Sequence, residues 1–298
     1  PATVQHSGTA RSASPRSGSV TGPGGVGVGL LDVPADAVSN PRAREYIVDY
    51  LTPGTTIHRR IKVSNTTKSE LHVAIYPAAA SISQGSFVGA ATHTANELST
   101  WTTVSRPILD VPAGTTAVDT VTVAIPATAS PGERYAVVWA EVRSAQKGGA
   151  IELINRAGIR MYLYVGGTNP ATSFTVNTLT GQRNSAGHPV VQALVHNTGG
   201  RAVDLSGNLT MSSVTGALTA GPYRAKLGTT LAPGQSEPVW FVLTSQLTDG
   251  PWNATVTLHS GLNQQTFRAQ IPFPRSAGTA PSPVAARPAG GGLGFVPI

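Results

Sequence analysis

Apolar and polar side chains alternate along most of this chain with a period near two, and each such run is closed within a dozen residues by a Pro-Gly, Asn-Thr or Gly-Gly break. Alternation at that period places every second side chain on one face, as a strand with a single buried face requires. In residues 56–65, Ile57, Ile61 and Val63 fall on one side, while His58, Arg60, Lys62 and Ser64 fall on the other. Arg59 interrupts the apolar side. Similar runs cover residues 71–76, 118–125, 135–142, 159–165, 174–179, 190–196, 203–211, 239–243, 252–258 and 266–273. The 33 Gly and 23 Pro among 298 residues leave few stretches in which a helix interior could persist. The expected fold class is all-β.

Gly166, Gly167, Thr168, Asn169 and Pro170 divide the strands into two groups, since a flexible pair followed by Pro ends one extended run and starts another. Each group holds at least six short strands, the usual content of an immunoglobulin-like β-sandwich. Two such sandwiches in tandem are expected, at 25–166 and 167–274, between disordered tails at 1–24 and 275–298. Both tails are rich in Ser, Gly, Pro and Ala. Leu293, Phe295, Val296 and Ile298 at the end of the second tail fit either the approach to a membrane anchor or an unstructured end. An internal repeat accompanies the division. Leu51-Thr52-Pro53-Gly54, Val111-Pro112-Ala113-Gly114 and Leu231-Ala232-Pro233-Gly234 each precede a strand, and Val63-Ser64-Asn65-Thr66 and Val195-His196-Asn197-Thr198 each end one. Asn at these positions suits a left-handed or side-chain-bonded turn.

Charge and motif content narrow the function. The net charge is +7, but more than half of the excess lies in the two tails, so no dense basic stripe faces a row of phosphates and nucleic acid is not an expected partner. With no Cys, disulfides, thiolate nucleophiles and thiolate metal sites are excluded. The seven His are scattered, no two closer than eight residues, and carboxylates beyond residue 167 are limited to Asp204, Glu237 and Asp249. No catalytic motif, metal site or cofactor site is expected. Lys62, the one strand-centred candidate for a lysine crosslink in the first sandwich, alternates with His58 and Arg60 and is expected to face solvent.

Binding remains, and the aromatic residues are its best guide. Trp101 stands in the polar stretch Ser99-Thr100-Trp101-Thr102-Thr103 with Arg106 close by, a pairing able to stack on a sugar face and hydrogen-bond its substituents; these two are the candidate binding residues. Trp139 and Trp240, each within an apolar run, are expected in the core. Trp252 reads as a plug at a strand start that, with Tyr223, could mark a partner patch.

The order of Leu51-Thr52-Pro53-Gly54, the strand ending at Asn65, the strand from Leu71 to Tyr76 followed by Gly85, then Trp101, Val111-Pro112-Ala113-Gly114, Ile125-Pro126 and Ser130-Pro131-Gly132-Glu133 resembles the peptidoglycan-binding domain of the WxL-interacting proteins, over about residues 25–165. The excess of Arg over Lys gives the chain the look of an actinobacterial-type member. The resemblance implies a first immunoglobulin-like domain that engages peptidoglycan or a wall glycopolymer. It also implies a second domain that engages a surface protein partner, and a membrane helix beyond. The expectation is therefore a non-enzymatic, extracellular, wall- or membrane-anchored binding protein. The alternative is a pilus-chaperone-like assembly factor, which would accept a partner's strand along an exposed sheet edge. A hydrolase or its accessory module, and a plain spacer, are further rivals.

Overall fold

The computed structural model describes residues 25–34, 40–145, 152–167, 169–226, 228–244, 247–279 and 282–289. The tail expected at 1–24 and the apolar end from 290 lie outside them. The described chain is two β-sandwiches. In the first, β1 (Val26–Leu30), β3 (Thr56–Asn65), β8 (Thr116–Ala124) and β6 (Thr102–Val104) form one sheet in the order β1-β3-β8-β6. The facing sheet runs β2 (Ile47–Leu51), β10 (Glu152–Val165), β9 (Gly132–Ala145), β4 (Leu71–Ser83) and β5 (Ser86–Gly89), with β7 (Ile108–Val111) also on β4. A single helical turn, α1 (Glu97–Thr100), precedes β6. In the second sandwich, β16 (Ser236–Val242), β12 (Pro189–Asn197), β11 (Phe174–Arg183) and β19 (Val284–Ala285) face β14 (Thr219–Arg224), β13 (Val203–Ser213), β17 (Trp252–Ser260), β18 (Asn263–Ile271) and β20 (Arg287–Pro288); β15 (Thr229–Leu231) joins β13.

Each sandwich has its own core between its sheets. Ile61, Val63, Val121 and Val123 of one sheet meet Val73, Ile75, Val138, Met161 and Leu163 of the other, and in the second unit Val191, Val195 and Phe241 meet Leu209, Val256 and Phe267. The polar break at Arg59 has a partner. Its guanidinium binds Asp49 of the facing sheet, with Nε 3.1 Å from Oδ2, so two charges are neutralised at the rim of an otherwise apolar layer. Lys62 is exposed, as its alternation requires.

The internal repeat is a repeat of hydrogen bonding. Asn65 is buried at the end of β3; its amide donates to the carbonyls of Ser69 (2.7 Å) and Val111 (2.9 Å), and its Oδ1 accepts from the Thr67 amide (2.8 Å). Asn197 ends β12 with the same pattern, donating to Arg201 (2.9 Å) and Leu231 (3.1 Å) and accepting from Gly199 (2.9 Å). Each Asn staples its own turn to the strand that ends in the Pro-Gly turn, at Val111 in one unit and Leu231 in the other. The side chain thus satisfies main-chain groups that a bent, buried chain would leave unpaired.

Four expectations need correction. Trp139 is buried, but on the outer face of its sheet and outside the inter-sheet core. Trp240 is only half-buried, because Val239 and Phe241 take the inward positions on β16. Trp252 and Tyr223 are both buried in the second core and offer no partner patch. Residues 275–298 are not linker throughout, since Val284–Ala285 pairs with β11 and Arg287–Pro288 pairs with β18.

Candidate functional site

β9 and β10 are each 14 residues long and pair along their whole length, from Glu152↔Ala145 to Val165↔Gly132. Their other neighbours are shorter. β4 covers β9 only up to Glu141, and β2 covers β10 only from Met161, in parallel. Among the described residues, Glu152–Arg160 of β10 therefore pair on one side alone. Nine residues at about 3.3 Å each give roughly 30 Å of open strand edge. β1 lies near β10 in the facing sheet without pairing to it.

The two sides of this edge differ chemically. Toward the sandwich interior lie Leu153, Asn155, Ala157 and Ile159; Leu153 is 40% exposed and Ile159 buried. On the outer face lie Ile154, Arg156, Gly158 and Arg160, beside Arg143, Glu141, Trp139 and Val137 of β9. Gly158 is small for a reason: a Cβ there would stand 2.6 Å from the Trp139 ring. The ring itself lies under the β5 hairpin and donates from Nε1 to the Ala90 carbonyl at 2.9 Å.

Glu141 organises the outer face. Its buried carboxylate accepts from Tyr76 (2.5 Å), Arg156 (2.5 Å) and Arg143 (2.7 Å), and His93 packs on the Tyr76 ring with centroids 4.1 Å apart. Burial works to raise the Glu141 pKa, but these three donors outweigh it and hold the group below its ordinary value of 4.5. The pKa is lower in the folded state, so the contribution to stability is complete above about pH 4.5 and lost as pH falls through the folded value. Unfolding free energy measured from pH 7 to 3 should fall more steeply for the parent than for Glu141→Gln; equal slopes would remove Glu141 from this role.

The concave feature of the described chain is the seam between the sandwiches. Arg42 binds Asp204 through Nε (2.8 Å) and Nη2 (2.6 Å) and the Ala202 carbonyl through Nη1 (2.9 Å), while the Ala202 amide donates to Glu133 (2.6 Å). Arg201 reaches the Tyr50 hydroxyl, and the Thr230 amide donates to the Gly85 carbonyl at 2.7 Å. Phe87, Tyr46, Tyr135 and Tyr162 form a ring cluster below, with Arg160 over Tyr46 and Phe87 at 5.1 and 5.0 Å. Burial raises the pKa of Glu133 against the pull of Tyr135 and Arg42. A cleft of about 670 Å³ opens here. Two of its three carboxylates, Asp204 and Glu133, already hold donors from the opposite sandwich, so the cleft is built as a clamp; Glu45 is the third.

Trp101 and Arg106 flank β6. Trp101 is half-buried against the first core, and the Arg134 guanidinium lies over its ring at 5.0 Å, occupying a face that a sugar would need. Arg106 is exposed and turned to β8, bonding the Val118 carbonyl, with its amide donating to Asp119 at 3.1 Å. Arg134 rather than Arg106 meets the indole. Among the described residues no cluster of three His, Asp or Glu could hold a metal ion, and no helix is long and apolar enough to cross a membrane. Sequence reasoning missed the β10 edge altogether; the exposed pair Leu153 and Ile154 beside Arg143 and Arg156 was the one local sign of it.

No protein-family model matches this chain, and no curated protein matches it. Solved structures with a similar strand arrangement include the class 5 fimbriae chaperone CfaA, at 14% identity over 76% of this chain and 96% of that one, with a TM-score of 0.41. The SafB chaperone, solved with the Salmonella enterica SafA pilin, is 10% identical over 83% and 96%, with a TM-score of 0.43. The archaic CsuC–CsuE pre-assembly complex of Acinetobacter baumannii gives 13% identity over 76% and 96%, with a TM-score of 0.39. Superpositions this loose say nothing about what the present chain binds.

Proposed function

We propose that this is a non-catalytic binding protein whose first sandwich takes an extended segment of a protein partner along the open edge of β10. The observation that carries the reading is the nine-residue stretch Glu152–Arg160 which, among the described residues, has one side of its backbone unpaired. An uncovered edge of this length is a standing invitation to wrong pairing, so a chain that keeps one gains from a dedicated partner. The side chains define that partner. An added strand would set alternate residues beside Leu153, Asn155 and Ala157, and the others beside Glu152, Ile154, Arg156 and Arg160; on that outer face Arg143, Arg156 and Arg160 outnumber Glu141 and Glu152, so apolar residues alternating with acidic ones fit both faces. The clamped seam lies toward the C-terminal end of β10, where Glu133 pairs with Tyr164 and Arg160 packs over Tyr46 and Phe87, so Glu152–Gly158 is the part of the edge away from it.

The test uses the whole chain and a nine-residue peptide alternating Val and Asp. Hydrogen exchange should slow at residues 153–160 on saturation, the effect should fall with salt, and Arg156→Glu should weaken binding at least tenfold. If neither this peptide nor its Val/Lys counterpart alters exchange at β10, the reading fails. The wall-binding function implied by the family resemblance, with peptidoglycan or a wall glycopolymer as ligand, gives a different result: retention on purified cell walls that Arg156→Glu does not reduce and Trp101→Ala does.

A further inference from the structure

The segment after the second sandwich occupies a place that belongs, by its geometry, to a separable strand. Without it β11 and β18 would be the outer edges of the two sheets on one side of the sandwich. Residues 284–289 cross from one edge to the other: Leu179↔Val284 and Thr178↔Ala285 pair on β11, and Arg268↔Arg287 and Phe267↔Pro288 on β18. The Ala286 amide donates to Asn177 (3.0 Å), the residue at the bulge of β11, and the Ala289 amide to Thr266 (2.8 Å). Val284 and Ala286 pack half-buried on the core that contains Leu179 and Phe267. Ala286 turns toward the core at the crossing between the sheets, while Ala285 is exposed.

Two properties make the contact exchangeable. It is short, two paired residues on each sheet, and its ordering entropy offsets much of what so few bonds return. It is also attached to the sandwich through residues 274–283, Pro-Arg-Ser-Ala-Gly-Thr-Ala-Pro-Ser-Pro; the Pro274 carbonyl accepts from Arg183 (2.6 Å) and Arg275 meets Asp249 (3.3 Å), and the eight residues beyond them can extend by about 26 Å. An identical segment from another chain would make every one of these contacts, which is the condition for swapping.

We propose that the β11/β18 side of the second sandwich is a strand-docking site, filled by the chain's own Val284–Ala289 in isolation and by the same segment of a second copy when chains are concentrated. The site is separate from the β10 edge and stands or falls independently of it.

The experiment uses the whole chain carrying Ala286→Asp, with Val284→Gly as a second release variant. In either, the amides of Asn177, Leu179, Thr266 and Arg268, which face the segment, should exchange at least tenfold faster while those of β12 and β17 are unchanged. A synthetic peptide of residues 282–290 should then bind saturably and restore protection, and the same peptide carrying Ala286→Asp should not. Mixed with the parent chain at concentrations on the order of 1 mM, comparable with a tethered segment's own, Ala286→Asp should form a one-to-one complex by light scattering. Edge amides as protected as in the parent, or a released edge that takes up no peptide, would overturn the site. Peptide uptake with no complex between chains would overturn the second copy as its occupant.

Discussion

Trp139→Ala should destabilise the protein by about 3 to 5 kcal/mol, although the residue lies outside the core between the sheets. The indole is 8% exposed, fills the space over Gly158 and Gly89, and forms a cluster with Tyr76, Ala78, Val137 and Phe87 under the β5 hairpin. Two glycines that cannot carry a side chain beside the ring leave nothing to collapse into its place, so the cavity penalty should be near its full size. For a chain of this length each kcal/mol corresponds to roughly 2–4 °C in Tm. A melting point within two degrees of the parent would mean that the indole is not buried. The same variant should loosen the outer face of β10, and hydrogen exchange at 156–160 would register that.

The second large effect is expected at the two stapling asparagines. Asn65→Ala leaves the carbonyls of Ser69 and Val111 without their side-chain donor and the Thr67 amide without its acceptor, and Asn197→Ala does the same at Arg201, Leu231 and Gly199. Buried polar groups stranded in this way cost about 1–3 kcal/mol each when water cannot reach them. A loss of about 2 to 4 kcal/mol per substitution is expected in denaturant unfolding. Asn→Asp should be at least as harmful, because a carboxylate cannot donate to two carbonyls and would face them with a charge. An Asp variant as stable as the parent would show that the donated bonds contribute nothing.

The clamp between the sandwiches is the reason for proposing the site on one edge and not in the cleft. Arg42, Asp204, Glu133 and Arg201 are charged residues in a concave region, a pattern that invites a catalytic reading. Their partners lie across the seam, so their charge is spent on holding the sandwiches together. At the β10 edge the unmet valence is main-chain hydrogen bonding, and it points to a partner that brings backbone.

The strands with one solvated face were legible in advance, because alternation reports which side of a strand is covered. So were the two groups of strands and the Asn and Pro-Gly punctuation, which depends on backbone conformations that few residues adopt. β2 was not, since four of its five residues are buried and a strand covered on both faces shows no alternation. Nor was the seat of Trp139: an apolar run reports burial without saying which face of the sheet is covered, and here the cover is the β5 hairpin. Val284-Ala285-Ala286 carries no periodicity either, and only the nearness of two open edges turns it into strand. Trp101 and Arg106 are neighbours in sequence but bond to different strands, because β6 lies between them. The sequence by itself determined the strands, their turns and the residues that must hide from water, because those follow from local geometry and side-chain chemistry. Tertiary structure alone decided which edges remain open, since an edge is defined by the neighbour it lacks, and neighbours are brought together only when distant segments fold onto one another.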